Sequence, residues 1–399
     1  MNRTNWKQTR LGSELELLYG RGLPASARVA GDVPVYGSNG VVGLHNKSLV
    51  EGPGIIVGRK GSVGEVAFSD GPFWPIDTTY YVANRGGNNW RFLYFLLQHL
   101  QLTGLNSHST VPGLNRESVY SIEWAFPPKS EQEKIAAVLW KIQTAVKIED
   151  AIVRNARDLK KSLLRRLFTH GLRGEPLKET EIGPLPESWN VQPLSEVRDF
   201  LQYGTSQRCE LSVKGFPVLR IPNVVRGKID TSEIKYADMA AKAAENLRLS
   251  RGDLLFVRTN GQREYVGRCA VYKGEPPNAL FASYLIRARL FTDRVNPDFM
   301  QAYTMTDAGK SFLSGRSHGA ADGKFNINTQ TIDSTLVPVP SPHEQREIAD
   351  ILQTVDRKID IHESKKRSLQ DLFKTTLHKL MTAQIRVNDL DIDASEVNA

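Results

Sequence analysis

Cysteine is nearly absent from this 399-residue chain: Cys209 and Cys269 are the only two. That excludes a disulfide framework, and neither sits at metal-ligand spacing. They read as buried or partly buried thiols of a reducing compartment. Long apolar runs are missing too. No uncharged stretch approaches the length that spans a bilayer. The opening MNRTNWKQTRLG has no apolar segment of a signal peptide. The expectation is a cytoplasmic protein with no membrane partner.

Catalytic signatures are missing as well. The nearest approach to a P-loop, Gly319 to Lys324, runs into Phe325 where Ser or Thr is needed. Gly37 to Gly43 is glycine-rich but lacks the strand–helix setting of a dinucleotide loop, so it reads as a turn. The eight histidines are scattered, and none pairs with cysteines or carboxylates at ligand spacing. There is no G-x-S-x-G elbow. There is no Asn-Pro-Pro-Tyr or Asp-Pro-Pro-Tyr tetrapeptide of the amino-methyltransferase kind, and no carboxylate–lysine cluster of a nuclease. The expectation is no catalytic residue, no metal and no cofactor.

What is present is positive charge and a repeat. The net charge is +8 and the pI about 9.3. This favours a polyanionic partner, nucleic acid first, although a modest basic excess occurs in many enzymes. The repeat is longer and more specific. At an offset of 213, Glu131-Gln132 meets Glu344-Gln345, Ile135-Ala136 meets Ile348-Ala349, and Leu139 meets Leu352. Asp158-Leu159 meets Asp371-Leu372, and Leu164, Leu167 and Thr169 meet Leu377, Leu380 and Thr382 without a gap. A repeat of this length determines the architecture.

Both copies carry apolar residues at spacings of three and four, the mark of a helix stripe. The first stripe runs from Ile135 through Leu139, Val146, Val153 and Leu159 to Leu163. The second runs from Ile348 through Leu352, Val355 and Ile359 to Leu372 and Leu380. About 39 residues at about 1.5 Å each make a rod near 58 Å, too long and narrow-striped for a globular helix. Each helix therefore needs a partner of like length. Ser130, with Glu133 three residues on, predicts a capping box at the first helix start. The second helix is expected to start near Pro342 or His343.

A β-rich segment precedes each helix. In the first, apolar runs at Pro34–Tyr36, Gly54–Val57, Val63–Phe68 and Thr78–Val82 are separated by turn residues. One helix is expected at Trp90–Leu102. The second segment echoes the first at offsets that rise in steps. Trp6 meets Trp189 at 183, Arg59 meets Arg258 at 199, Val63-Gly64 meets Val266-Gly267 at 203, and Leu114-Asn115 meets Ile327-Asn328 at 213. Insertions in loops between shared strands produce such steps. The expected fold is α+β: two β-rich domains separated by two long helices packed as an antiparallel coiled coil, with a pseudo-two-fold. The expected divisions are a first domain over 1–126, a helix over 127–170, a linker over 171–188, a second domain over 189–339, a helix over 340–383, and a disordered acidic tail over 384–399.

Polar and basic residues gather where strands are expected to end. In the first domain these are Tyr36, Ser38 and Asn39 at a turn, Arg59 and Lys60 after an apolar strand, and Ser109 and Thr110 in a polar loop. In the second they are Arg220 and Asn223, the loop carrying Arg258, Thr259, Asn260, Gln262 and Arg263, and then His318, Lys324 and Asn326. Arg, Asn, Gln and Lys read base edges, whereas Ser, Thr and Lys suit phosphates. These residues are the candidate double-stranded DNA contacts. Loops are polar in any protein, so a protein-binding coiled-coil scaffold and a stand-alone DNA-modifying enzyme stay open as alternatives.

The chain resembles the specificity (S) subunit of type I restriction–modification systems. The resemblance lies in the two Pro–Glu-Gln helix starts, Pro127 to Gln132 and Pro340 to Gln345. It lies also in Tyr36 to Gly43, Ile55 to Gly64, Leu185 to Trp189 and Gly252 to Phe256, and it reaches about Thr382. It implies that each β-rich domain is a target recognition domain reading one half of a bipartite DNA sequence. The paired helices would be the spacer. The subunit itself would be non-catalytic. It would dock two methyltransferase (M) subunits for adenine methylation of DNA and add ATP-dependent restriction (R) subunits. S-adenosylmethionine, ATP and magnesium would belong to those partners.

Overall fold

A computed structural model describes residues 6–105, 113–319, 323–388 and 390–392. Two compact units divide it: Met1–Ala151 with His362–Ala399, and Ile152–Ile361. Each unit holds one β-rich region and half of each long helix.

The first unit is built on β1 (Leu15–Tyr19), β2 (Val33–Gly37), β3 (Gly40–His45), β4 (Gly54–Gly58), β5 (Val66–Ser69) and β6 (Thr79–Asn84). The main sheet is antiparallel in the order β1-β6-β4-β5. A smaller sheet pairs β2 antiparallel with β3 and parallel with Trp74–Pro75. α1 (Trp90–His99) caps its own start: the Asn89 side chain accepts from the Phe92 amide at 3.0 Å. A short α2 (Arg116–Tyr120) is capped likewise by Asn115. The chain then enters α3 (Lys129–His170).

The second unit repeats this plan. β7 (Arg198–Tyr203), β8 (Phe216–Leu219), β9 (Leu254–Val257), β10 (Thr259–Asn260), β11 (Cys269–Val271) and β12 (Leu285–Leu290) are its principal strands. Its main sheet runs β7-β12-β9-β11, again antiparallel and in the same topological order. β8 pairs antiparallel with Lys235–Ala237 and parallel with Leu280–Phe281, matching β2. α4 (Pro297–Tyr303) is capped by Asn296. β13 (His318–Gly319) and β14 (Phe325–Asn326) form a three-stranded ribbon with β10. α5 (Thr329–Asp333) precedes α6 (Pro342–Met381). The repeat extends to register: Lys7 pairs with Phe126, and Asn190, at offset 183, pairs with Val339, at offset 213.

The helix halves run antiparallel within each unit. In the first, Arg386 meets Glu131, and Glu149 lies 2.6 Å from both His362 and Lys365. In the second, Lys160 meets Asp356 at 2.7 Å. The apolar stripes join the β cores: Ile135, Leu139, Leu377 and Leu380 pack with Phe92 and Phe95, whereas Leu164, Leu167, Ile348 and Leu352 pack with Trp189 and Phe299. Both helices stay continuous where the units divide.

Each helix start is tied to its domain by a buried Glu-Gln pair. Gln132 accepts from the Asn89 amide at 2.9 Å and donates to Pro127 O at 3.0 Å and to Asn88 at 2.8 Å. Gln345 does the same with Asn296 at 2.7 Å, Pro340 O at 2.9 Å and Arg294 O at 2.8 Å. Trp6 donates to Glu131 at 3.0 Å, and Trp189 to Glu344 at 3.2 Å.

Four expectations are corrected. The Ser130 capping box does not form: the helix starts at Lys129, so Ser130 is already inside its first turn, and Pro128 O accepts from the Glu131 and Gln132 amides. The strand expected from Val63 begins at Val66, because Gly64 takes a positive φ. Leu159 and Leu372, placed on the packing stripes, are exposed. The tail expected to be disordered from 384 is packed over its described part. Val387 is buried in the first unit's core, Arg386 grips Glu131, and Lys134 donates to Asn388 O and Leu390 O. Residues 389 and 393–399 lie outside the described residues.

Candidate nucleic-acid interface

β4 and β9 are buried throughout, and each delivers an arginine where burial ends. Arg59 and Arg258 are held by the same backbone bonds. Their amides donate to Thr78 O and Tyr284 O, both at 2.9 Å. Their carbonyls accept from Leu114 at 3.1 Å and Ile327 at 2.9 Å. A tight turn follows in both, closed by Gly64 and Gly267, which donate at 2.8 Å to Gly58 O and Val257 O.

Beside each arginine, the strand two places along the same sheet ends in a tyrosine, β1 in Tyr19 and β7 in Tyr203. The Arg59 guanidinium carbon lies 5.1 Å from the Tyr19 ring centre, and that of Arg258 lies 5.0 Å from the Tyr203 ring centre. These are cation–π distances. Tyr19 is 52% exposed and Tyr203 40%. Glycine follows both tyrosines, because a Cβ on Gly20 or Gly204 would fall 2.2 Å from Ile76 O or Phe281 O. The two platforms differ on one side. Arg116 also lies over Tyr19, at 4.6 Å, whereas Thr329, its copy at offset 213, donates its amide to Tyr203 Oη at 3.3 Å. Beneath the first platform, burial and the adjacent Tyr19 push the Tyr80 phenol up, so it keeps its proton; Tyr80 donates to Leu114 O at 3.2 Å.

Charge pairing separates these arginines from five others, though not from Arg248, Arg268, Arg294 and Arg316, which also lie over rings with no carboxylate partner among the described residues. Arg85, Arg91, Arg198, Arg220 and Arg289 each face a carboxylate. Among the described residues, no carboxylate pairs with Arg59, Arg116 or Arg258. Their charge is held over an exposed ring and left unneutralised by the protein, which suits an anion.

The fold brings several expected residues to these places. Ser38 and Asn39 form the turn between β2 and β3, and Ser38 lies against the Gly58–Gly61 turn that carries Arg59 and the exposed Lys60. In the second unit the ribbon gathers Asn260, which follows closely on Arg258, with His318, Asn326 and the adjoining Lys324; Gln262 is exposed on the adjoining turn. Other expected residues are placed differently. Tyr36 is buried, edge-on to Phe73, with its hydroxyl toward Phe68 O. Asn223 is buried and spends its amide on Asp230 O and Glu233 O. Thr259 is buried within the ribbon. Arg263 is tied to Ser314 O, Gly315 O and Ser317 Oγ, and Arg220 to Glu233. Ser109 and Thr110 lie outside the described residues. Tyr19, Tyr203 and Arg116 were not expected. The available signal was a Tyr-Gly dipeptide repeated at offset 184, Tyr19-Gly20 and Tyr203-Gly204.

Among the described residues, no helix is long and apolar enough to cross a membrane, and no cluster of three His, Cys, Asp or Glu side chains is placed to hold a metal. Residues 4–154 and 186–371 match the family model described as the type I restriction modification DNA specificity domain. The chain belongs to this family. Two curated members show the range of similarity. The putative type I restriction enzyme MjaX specificity subunit of Methanocaldococcus jannaschii is 27% identical over 50% of this chain and 48% of its own length. The type I restriction enzyme EcoKI specificity subunit of Escherichia coli K12 is 25% identical over 75% of this chain and 66% of its own. The chain thus matches about half to two thirds of these relatives' lengths. The fold is that of the type I restriction–modification S subunit from M. genitalium: TM-score 0.67 at 17% identity, covering 96% of this chain and 97% of that one. In this specificity-domain chain, each platform lies within a matched stretch.

Proposed function

We propose that this chain is the non-catalytic DNA sequence-recognition subunit of a type I restriction–modification complex in the cytoplasm. Each β-rich region reads one half of a bipartite target, and the long helices set the spacing. The observation that carries this is the duplicated platform: one unneutralised arginine over one exposed tyrosine, at the same strand end of two sheets with one topology. Asn260, Gln262, His318, Lys324 and Asn326 in the second unit, and Ser38, Asn39 and Lys60 in the first, are the candidate side chains toward DNA.

The partners are double-stranded DNA and methyltransferase subunits, with restriction subunits added for cleavage. Each unit exposes an isoleucine and a leucine at matched places on its helix halves: Ile148 and Leu372 in the first, Leu159 and Ile361 in the second, which also exposes Ile351. At offset 213 the first four are the same two positions. The same apolar pair shown twice supports two copies of one partner, as two methyltransferase subunits would be.

The test is to assemble the full chain with its methyltransferase subunits and map the methylated adenines. Exchanging Trp189–Pro338 for the corresponding region of a relative is expected to change one half-site only. Inserting four residues near Asn155, about one helical turn, is expected to change or abolish the spacing preference and leave both half-sites alone. Methylation without sequence preference overturns recognition, and unchanged spacing overturns the spacer role.

A further inference from the structure

We infer that the two arginine–tyrosine platforms are clamps for the DNA backbone and that they do not read bases; this rests on the DNA-recognition reading above. Two readers of different half-sites both bind the phosphate backbone, and each must also read bases that the other does not. The platforms are what the two units share. Arg59 and Arg258 leave the same strand, are fixed by the same pair of backbone bonds, and lie within 0.1 Å of the same distance from their rings. The surroundings are what differs. Among the described residues, the second unit carries the β10-β14-β13 ribbon directly after Arg258, with Asn260, His318 and Asn326 on it, and the first carries Lys60 beside the Ser38–Asn39 turn after Arg59. A side chain placed identically in both units cannot encode a difference between half-sites, so base discrimination falls to the ribbon and to the β2–β3 turn.

The chemistry agrees. An arginine set over an aromatic face has lost much of its freedom to move before DNA arrives, so less is lost on binding. The ring also leaves the guanidinium nitrogens without a carboxylate to satisfy them, and phosphate oxygens are their natural acceptors. Arg116 gives the first unit a second cation over the same ring, donating on its other side to Leu17 O at 3.3 Å. The second unit has a threonine amide in that place. The first platform is therefore a two-cation clamp and the second a one-cation clamp.

Counterion release distinguishes a phosphate contact from a base contact. Each phosphate neutralised contributes about 0.9 to the slope of log affinity against log salt. The experiment uses the full chain assembled with its methyltransferase subunits. One duplex carries the methylated sequence mapped for the wild-type complex, and the other is a shuffled duplex of equal length. Affinity for both is measured by fluorescence anisotropy across a salt series. Arg258→Gln is expected to flatten the slope by about 0.9, and Arg59→Gln with Arg116→Gln by about 1.8. Both are expected to weaken the two duplexes by the same factor and to leave the methylated sequence unchanged. Tyr19→Leu and Tyr203→Leu are expected to weaken binding without flattening the slope, since the cation remains. A changed ratio between the duplexes, or a relaxed base at either half-site, overturns the clamp in favour of base reading. Wild-type affinity and slope in the arginine variants overturn it in favour of a structural role. Far-ultraviolet circular dichroism and a denaturation midpoint equal to wild type qualify each variant. For one that does not pass, Arg→Lys takes its place, expected to keep the slope and the methylated sequence; loss of either overturns the clamp. If the wild-type complex itself shows no preference between duplexes, it is the recognition reading that fails.

Discussion

The two units bury the same glutamate in different company. Glu131 is fully buried and gripped by Nε and Nη2 of Arg386, at 2.6 and 2.8 Å, as well as by Trp6. Glu344 is equally buried, but its partners are neutral: the Trp189 ring N–H and the Leu172 amide at 2.9 Å. The residue at offset 213 before Arg386 is Arg173, which is exposed. One design thus tolerates both a charge-neutralised carboxylate and one held by hydrogen bonds alone. What it requires is that every oxygen be met, because an unmet buried acceptor or charge costs far more than a met one contributes.

Removing each glutamate is expected to have the largest effect. Glu131→Leu leaves the Arg386 guanidinium without its carboxylate and is expected to cost about 3 kcal/mol. Glu344→Leu leaves two neutral donors and is expected to cost about 1–3 kcal/mol. Urea denaturation of the full chain, followed by tryptophan fluorescence, measures both; equal losses would show that the charged partner adds nothing. The turn glycines come next. Gly64 and Gly267 have φ of +78° and +77°. Alanine at either is expected to cost about 1–2 kcal/mol for the left-handed backbone. Gly64→Ala should cost more, because its Cβ would lie 2.4 Å from the Leu102–Thr103 peptide, whereas at Gly267 it meets the Leu313 side chain at 2.5 Å. The denaturation midpoints of the two variants decide it.

The smallest effect concerns pH and belongs to the first unit. Burial, and then the facing His378, hold His99 below the ordinary histidine range. Trp124 closes the other side of the ring. The unfolded chain therefore binds this proton more readily than the folded one. Stability is present above about pH 6.5 and is lost as pH falls from there through the folded value. His99→Phe is expected to flatten the stability–pH profile in that window. Melting temperatures measured between pH 5 and 8 test this, and an unchanged slope would show that the histidine pair is not its source.

Much of the fold was legible because the repeat preserves register. The offsets of 183 and 213 reappear as paired strands, Lys7 with Phe126 and Asn190 with Val339. Apolar periodicity located both helices to within two residues of their starts. It misplaced Leu159 and Leu372, since being apolar does not decide which face a residue takes once the partner helix covers only part of the cylinder. The site was less legible. Polarity marked loop residues well but could not tell Lys60, which is exposed, from Asn223, which spends its side chain on its own loop. The platform tyrosines were hidden because each meets its arginine only through strand pairing, forty residues or more along the chain, as Tyr19 and Arg59 do.

The contact of Glu149 with His362 has a consequence for assembly. These residues stand at the same position of the two copies, 213 apart, and they touch. Such a place is where a two-fold pairing sets a residue against its own counterpart. A dimer made from two first copies would set glutamate against glutamate, and one made from two second copies histidine against histidine. Only the mixed pair sets a carboxylate against a ring that can donate to it, and Lys365, 2.6 Å from the same carboxylate, deepens the preference. At this place the first helix copy is matched to the second more closely than either is matched to itself.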